Sequence, residues 1–234
     1  MVGKLKSKEE IAKGTLKVVF EVKEPFIFKS GQYCFITLAK LNYPDDRGPK
    51  RHFSIVNSPN EKGIITFVTR ETDSGFKKTL QEIPIGSEVQ LGPVAGVFTL
   101  PEDHTKPLAF IAGGIGITPF ISILRYIKEE NLPYKITLVY SNRDQFSTAY
   151  LEELQNYQLP TNNYKLILTM TEDPNWTGEK RKVDAQFIKD YFVDVNAQSY
   201  LVAGPPGMVE AVQAALTEAG VSQENVRAEN FTGY

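Results

Sequence analysis

Residues 108–124 read LAFIAGGIGITPFISIL, and no other stretch limits the possible folds as tightly. The apolar run 108–112 leads into glycines at 113, 114 and 116, and Thr118-Pro119 then opens a segment with apolar residues at helical spacing. A strand feeding a glycine turn and then a helix presents free backbone N–H groups to a phosphate. Glycine permits positive φ there and removes the Cβ that would hold a ligand away. Thr118 can cap the helix, and Pro119 suits its first turn, where no N–H partner is required. Two rival readings exist. The uncharged run 107–124 has the length of a short membrane span, but its three glycines and two prolines argue against one, and no second apolar stretch accompanies it. The other rival is a buried strand, turn and helix with no ligand, which a lone glycine turn does not exclude.

Composition narrows the functional classes. A net charge of −2 gives no reason to expect nucleic acid or an anionic membrane as partner. The single cysteine, Cys34, excludes an intrachain disulfide and a four-cysteine iron–sulfur cluster, and with only His52 and His104 no metal site is expected. The first residues carry lysines but no apolar core segment, so no secretory signal is read there and a cytoplasmic protein is the default.

The first hundred residues read as β structure. Runs at 15–22, 32–38, 51–56, 64–70 and 88–91 are rich in β-branched and aromatic residues and separated by turn residues. Such spacing predicts a sandwich or barrel. The polar, proline-bounded segment 100–107 marks a domain boundary, giving domains 1–102 and 107–234. Beyond it strands at 108–112, 134–141, 164–171, 199–203 and 226–228 alternate with helices at 119–130, 148–157, 184–191 and 206–219. That alternation predicts a doubly wound parallel sheet with ligands at the C-terminal ends of its strands.

Four separated motifs, Arg51-His52-Phe53-Ser54, Gly113-Gly-Ile-Gly-Ile-Thr-Pro119, Ala203-Gly-Pro-Pro-Gly-Met208 and Glu229-Asn-Phe231, resemble in type, order and spacing the ferredoxin–NADP⁺ reductase superfamily of flavoproteins. The resemblance covers nearly the whole chain. It implies an N-terminal antiparallel, Greek-key flavin-binding barrel and a C-terminal α/β domain for the nicotinamide nucleotide. In a strand, Arg51 and Phe53 share one face. Arg51 matches a pyrophosphate in geometry and charge, and Phe53 replaces the family's usual Tyr as the ring against the flavin. By the resemblance Ser54 is the hydroxyl beside flavin N5, with His52 in the same motif, and Val68, Thr69 and Arg70 lie near the ring or ribityl chain. Gly75, Lys78 and Thr79 resemble the second flavin phosphate element, a glycine turn opening a short helix.

For the nucleotide the resemblance points to Gly114, Gly116 and Thr118, to Gly204, Pro205 and Met208, and to Asn142 and Arg143 at a strand end. Ala203 stands where relatives often carry a cysteine, so no thiol assists there. Glu229 is the expected carboxylate near the nicotinamide, and Phe231 or Tyr234 the ring over the flavin. Glu172 falls where a cation for the 2′-phosphate of NADPH is common, which leans toward NADH, while Arg181 in Lys180-Arg181-Lys182 offers compensating charge. The reaction implied is hydride transfer from NADH or NADPH to FAD (FMN the less favoured flavin), followed by electron transfer to a separate protein or small molecule. The chain has neither cysteines for a cluster nor length for a haem domain. The competing reading is a non-catalytic flavin or nucleotide sensor, or an accessory electron-transfer subunit of a larger redox complex.

Overall fold

The computed structural model describes residues 1–23, 25–159 and 163–232. Tyr234, one of the two expected flavin-covering rings, lies outside the described residues. The chain divides into two compact units: Met1–Leu100 with Thr118–Tyr126, and Pro101–Ile117 with the residues from Ile127 on.

The first unit is a six-stranded antiparallel sheet built from β1 (Val2–Ala12), β2 (Thr15–Val22), β3 (Tyr33–Leu38), β4 (Lys50–Ser54), β5 (Ile64–Arg70) and β6 (Glu88–Ala95), in the order β4-β3-β6-β1-β2-β5. Alternation sends Val18, Phe20, Cys34, Ile36, Phe53 and Phe67 into one core. The rings of Phe53 on β4 and Phe67 on β5 lie 6.1 Å apart, so the two edge strands meet across that core and the sheet curls toward a barrel. Cys34 is a core residue whose burial pushes its thiol up to about 11. β1 was not expected. Its lysines and glutamates carry no apolar pattern beyond buried Leu5 and Gly3, and pairing with β2 and β6 is what holds it. Helix α1 (Gly75–Glu82) follows β5 and buries Phe76 and Leu80 in the same core.

The second unit holds a five-stranded parallel sheet, β7 (Leu108–Gly113), β8 (Ile136–Asn142), β9 (Tyr164–Met170), β10 (Ser199–Gly204) and β11 (Val226–Asn230), in the order β11-β10-β7-β8-β9. Every residue of central β7 is buried, which explains its uninterrupted apolar run. Helices α4 (Ala185–Tyr191) and α5 (Pro206–Glu218) cover one face through Phe187, Ile188, Val209, Val212 and Leu216. A short helix α3 (Leu151–Gln155) starts three residues later than the sequence predicts, because residues 144–148 form a turn closed by the Asp144 side chain and carbonyl.

The segment 114–117 is a 3₁₀ turn, and Thr118 opens helix α2 (Thr118–Glu129). The first nine residues of α2 belong by packing to the first unit, although the sequence boundary assigns them to the second domain. Phe120 meets Phe98 edge-on at 5.4 Å, and the Ser122 hydroxyl donates to the Asn57 carbonyl at 2.8 Å. Among the described residues no helix is long and apolar enough to cross a membrane.

Candidate functional site

In the first unit the polar centre is a buried cluster at the start of α1. Strand alternation places Arg51 and Phe53 on one face, as the spacing predicts. Arg51 is 8% exposed, and both terminal nitrogens of its guanidinium are engaged by the chain itself. One nitrogen donates to the carbonyls of Arg47, Gly48 and Lys50 at 2.8–3.0 Å, and the other pairs with the Asp45 carboxylate. Asp45 also accepts from the Phe76 N–H at 2.9 Å, the Ser74 hydroxyl at 2.8 Å and the Arg47 N–H at 3.0 Å. The Phe76 N–H bond, then those from Ser74, Arg47 and Arg51, hold the Asp45 carboxyl far below the usual carboxylate range. Lys77, also buried, is pulled down to about 8 by its burial and then by the nearby Arg47 and Arg51 cations.

Several expected flavin contacts are arranged differently. Phe53 has no open face: it is 2% exposed and packed between Phe67 and Phe76, each about 6 Å away. His52 points to the opposite face, beside Tyr33 at 5.0 Å and Phe35 at 5.6 Å, because adjacent strand residues alternate. Thr79 is buried and donates to the Gly75 carbonyl at 2.7 Å while accepting from the Asn42 N–H at 2.9 Å. Lys78 is half-exposed and paired with Asp73 at 3.1 Å. Gly75 is where the loop meets the helix, since a Cβ there would stand 2.3 Å from the Pro44 carbonyl oxygen. Val68 and Thr69 are buried, and Arg70 donates to the Thr15 hydroxyl at 2.6 Å, tying β5 to the 13–15 turn. Ser54 closes β4 and is buried. Ser74 and Lys77 fall inside the glycine turn and short helix expected of the second flavin phosphate element, whereas no motif points to Asp45. Asp45 lies in a turn-rich, mixed-charge stretch whose spacing marks no site.

In the second unit the candidate groups gather at the C-terminal ends of the parallel strands. The glycines there serve two purposes. Gly114 adopts φ +52°, as a turn glycine. Gly116 is instead a packing residue: a Cβ would lie 2.2 Å from the Ala203 carbonyl oxygen, so its side is closed by β10 rather than open to a ligand. Gly204 and Gly113 make room for the Met208 sulfur, which would stand 3.1 and 2.9 Å from their Cβ positions. Pro205 is exposed at the start of α5. Thr118, which belongs to the first unit, is buried at the start of α2.

Asn142 ends β8. It is 6% exposed, and neither its Nδ2 nor its Oδ1 has a hydrogen-bond partner. Glu229, on β11, likewise has Oε2 buried without a partner, and desolvation raises its carboxyl to about 7. Buried polar atoms left in this way are uncommon, and among the described residues Tyr164, Trp176 and Tyr200 carry others. The loops after β8 and β9 are laced together: the Glu172 N–H donates to the Arg143 carbonyl at 2.9 Å, and Gln145 donates to Asp173 at 3.1 Å. Arg143 and Glu172 have exposed side chains. Arg181 does not offer the free cation its sequence position promises. Its guanidinium is held by both oxygens of Glu179 at 2.7–3.1 Å and by Asp190 at 2.7 Å. That pairing holds Glu179 down at about 2. Phe231 is 7% exposed, with its N–H on the Gly204 carbonyl at 2.9 Å, so its ring is packed rather than open.

Residues 110–214 match the family model described as the oxidoreductase NAD-binding domain. The reductase component 1 of terephthalate 1,2-dioxygenase from a Comamonas species is 25% identical over 207 residues, 87% of this chain and 59% of that protein. The propane 2-monooxygenase reductase component of Rhodococcus jostii is 26% identical over 88% of this chain and 56% of that protein. The chain thus spans a little over half the length of these curated relatives. A ferredoxin–NADP⁺ reductase from Neisseria gonorrhoeae, solved with FAD and NADP, superposes with a TM-score of 0.81 at 18% identity, covering 98% of each chain.

Proposed function

We propose that this chain, ferredoxin–NADP⁺ reductase-like in its two-part fold and its oxidoreductase NAD-binding segment, is an NAD(P)H-dependent flavoprotein reductase. The observation that carries the proposal is the pair of unpartnered groups at the strand ends, the Asn142 amide and the Glu229 carboxylate. They stand on the side of a parallel sheet where nucleotides bind, within and just beyond a segment of the oxidoreductase NAD-binding type. An amide offering both a donor and an acceptor suits a ribose hydroxyl. A carboxyl raised to about 7 holds or yields a proton near neutral pH. Gly114, Gly204, Pro205 and Met208 shape the backbone around the nucleotide.

In the first unit the Arg51 guanidinium, the Ser74 hydroxyl and the Phe76 N–H form a donor set that suits a phosphate, once Asp45 is displaced from it. These residues fit the diphosphate of FAD, with Ser54 as the hydroxyl toward the reacting ring. The flavin, when bound, supplies the exchange between two-electron and one-electron chemistry. The chain's own part is to bind both molecules, orient them and exclude water.

NADH is the preferred donor in this reading. Exposed Glu172 repels a 2′-phosphate, and Glu179 and Asp190 consume the charge of Arg181. Electrons leave to a separate redox protein, of which the oxygenase components implied by the relatives' names are one class, and the site of action is the cytoplasm. Anaerobic mixing of the flavin-loaded protein with NADH or NADPH tests the proposal. Flavin bleaching with NADH, and slower bleaching with NADPH, is expected; no bleaching with either leaves only the sensor or accessory-subunit reading.

A further inference from the structure

We propose that Asp45 is an internal occupant of the site that takes the flavin phosphate, so that segment 42–48 gives way when the cofactor enters and the flavin is held exchangeably. The inference rests on the flavoprotein reading above. Asp45 is a stand-in anion in the full chemical sense. Its side chain is 6% exposed, and it takes the Arg51 guanidinium, the Ser74 hydroxyl at 2.8 Å and the Phe76 N–H at 2.9 Å. A guanidinium, a hydroxyl and a main-chain N–H in the first turn of a helix are equally the donors that hold phosphate oxygens. A phosphate on the same donors brings its negative oxygens against the Asp45 carboxylate, so the two anions exclude each other.

The segment carrying Asp45 lies directly on the helix. The position of a Cβ on Gly75 is 2.3 Å from the Pro44 carbonyl oxygen and 2.7 Å from that of Tyr43. The Asn42 N–H donates to Thr79 at 2.9 Å, and the Tyr43 hydroxyl donates to Glu82 at 2.5 Å. The first turn of α1 is therefore covered by the chain's own residues. Asn42, Tyr43, Pro44, Asp46 and Arg47 are exposed, and beside Asp45 the segment is held by the Asn42 N–H on buried Thr79, by Asn42 and Tyr43 on Glu82, and by the Arg47 and Gly48 carbonyls on Arg51. Displacing it costs the Asp45 hydrogen bonds together with those of the Arg47 and Gly48 carbonyls to Arg51 and of Asn42 and Tyr43 to α1. A phosphate replaces the Asp45 acceptor on Arg51, Ser74 and Phe76.

Affinity for a phosphate-bearing flavin is then reduced by the fraction of molecules in which Asp45 is in place. Riboflavin, which has no phosphate, escapes that competition. The test is fluorescence titration of the flavin-free protein with riboflavin, FMN and FAD, for the wild type and for Asp45→Asn. Asp45→Asn is expected to bind FMN and FAD about tenfold or more tightly than the wild type, with riboflavin within about twofold. Equal or weaker FMN and FAD binding by the variant, with riboflavin still bound, overturns this inference and leaves the flavoprotein reading intact. Failure of both proteins to bind any flavin overturns both. Should Asp45→Asn not fold, hydrogen exchange on the wild type decides. FMN is expected to speed exchange across 42–48, and unchanged or slower exchange there overturns the proposal.

Discussion

Both terminal nitrogens of the Arg51 guanidinium are answered from within the chain, while at the ends of β8 and β11 the Asn142 amide and one oxygen of Glu229 have no hydrogen-bond partner. The two regions thus hold their polar groups in opposite states. In the first unit the buried cation is satisfied by a neighbouring carboxylate and three carbonyls, so a ligand has to replace an existing partner. In the second, desolvated groups already bear a cost of roughly 1–3 kcal/mol each when unpaired, which a ligand relieves. That difference is why the proposed flavin-phosphate donors and the proposed nucleotide edge look so unlike in the same chain.

The largest expected effect falls on the closed region. Arg51→Ala leaves Asp45 buried without its cation and is expected to cost about 3–5 kcal/mol in urea unfolding, along with most flavin retention. A loss under about 1 kcal/mol would mean that the pair is not the keystone of that cluster. In the open region, Glu229→Gln is expected to slow flavin reduction by about a hundredfold in stopped-flow mixing, with little change in NADH affinity. An unchanged rate would remove Glu229 from the reaction.

Gly116→Ala tests whether the glycine turn is packing or ligand site. The added methyl meets the Ala203 backbone, so a destabilisation of about 1–3 kcal/mol in urea unfolding is expected, whether or not nucleotide is present. A variant of normal stability but weaker NADH binding would restore the ligand role.

Glu229→Gln also carries a smaller, pH-dependent signature. The folded protein raises this carboxyl from 4.5 to about 7, so between those values the folded state keeps a proton that the unfolded chain has lost. Stability therefore falls as pH rises through that window, and the cost is complete above it. The variant is expected to gain roughly 3–6 °C in melting temperature over the wild type at about pH 8, and nothing at about pH 4. Smallest of all, Arg181→Ala should change NADPH affinity by less than about twofold, because its charge is already spent on Glu179 and Asp190. A loss of NADPH binding in equilibrium titration would show that the network opens for the ligand.

Much of the architecture was legible before any coordinates. The fully buried β7 announced itself as an uninterrupted apolar run, and the alternation of β7 through β11 with helices followed from change of period alone. β1 did not, because its charged residues leave only Gly3 and Leu5 fully buried and its pairing depends on strands β2 and β6. Arg51 was legible as an anion ligand by residue type. Its actual partner was not, since Asp45 reaches it through a turn and reaches Phe76 across 31 residues of chain. Arg181 shows the same limit in part: Glu179 stands two residues before it, in reach from the sequence, whereas Asp190 is brought to it by helix α4.

The sequence by itself determined the order of elements from β2 on, the two-part organisation and the residue types set at strand ends, because hydrophobic period and glycine placement act locally. The tertiary structure alone decided which of those residues are spent and which are available. Satisfaction of a buried charge depends on whatever the fold brings within hydrogen-bond reach. So Asp45 answers the Arg51 guanidinium, Glu179 and Asp190 hold the Arg181 cation, and the Asn142 amide and one oxygen of Glu229 are left without a hydrogen-bond partner.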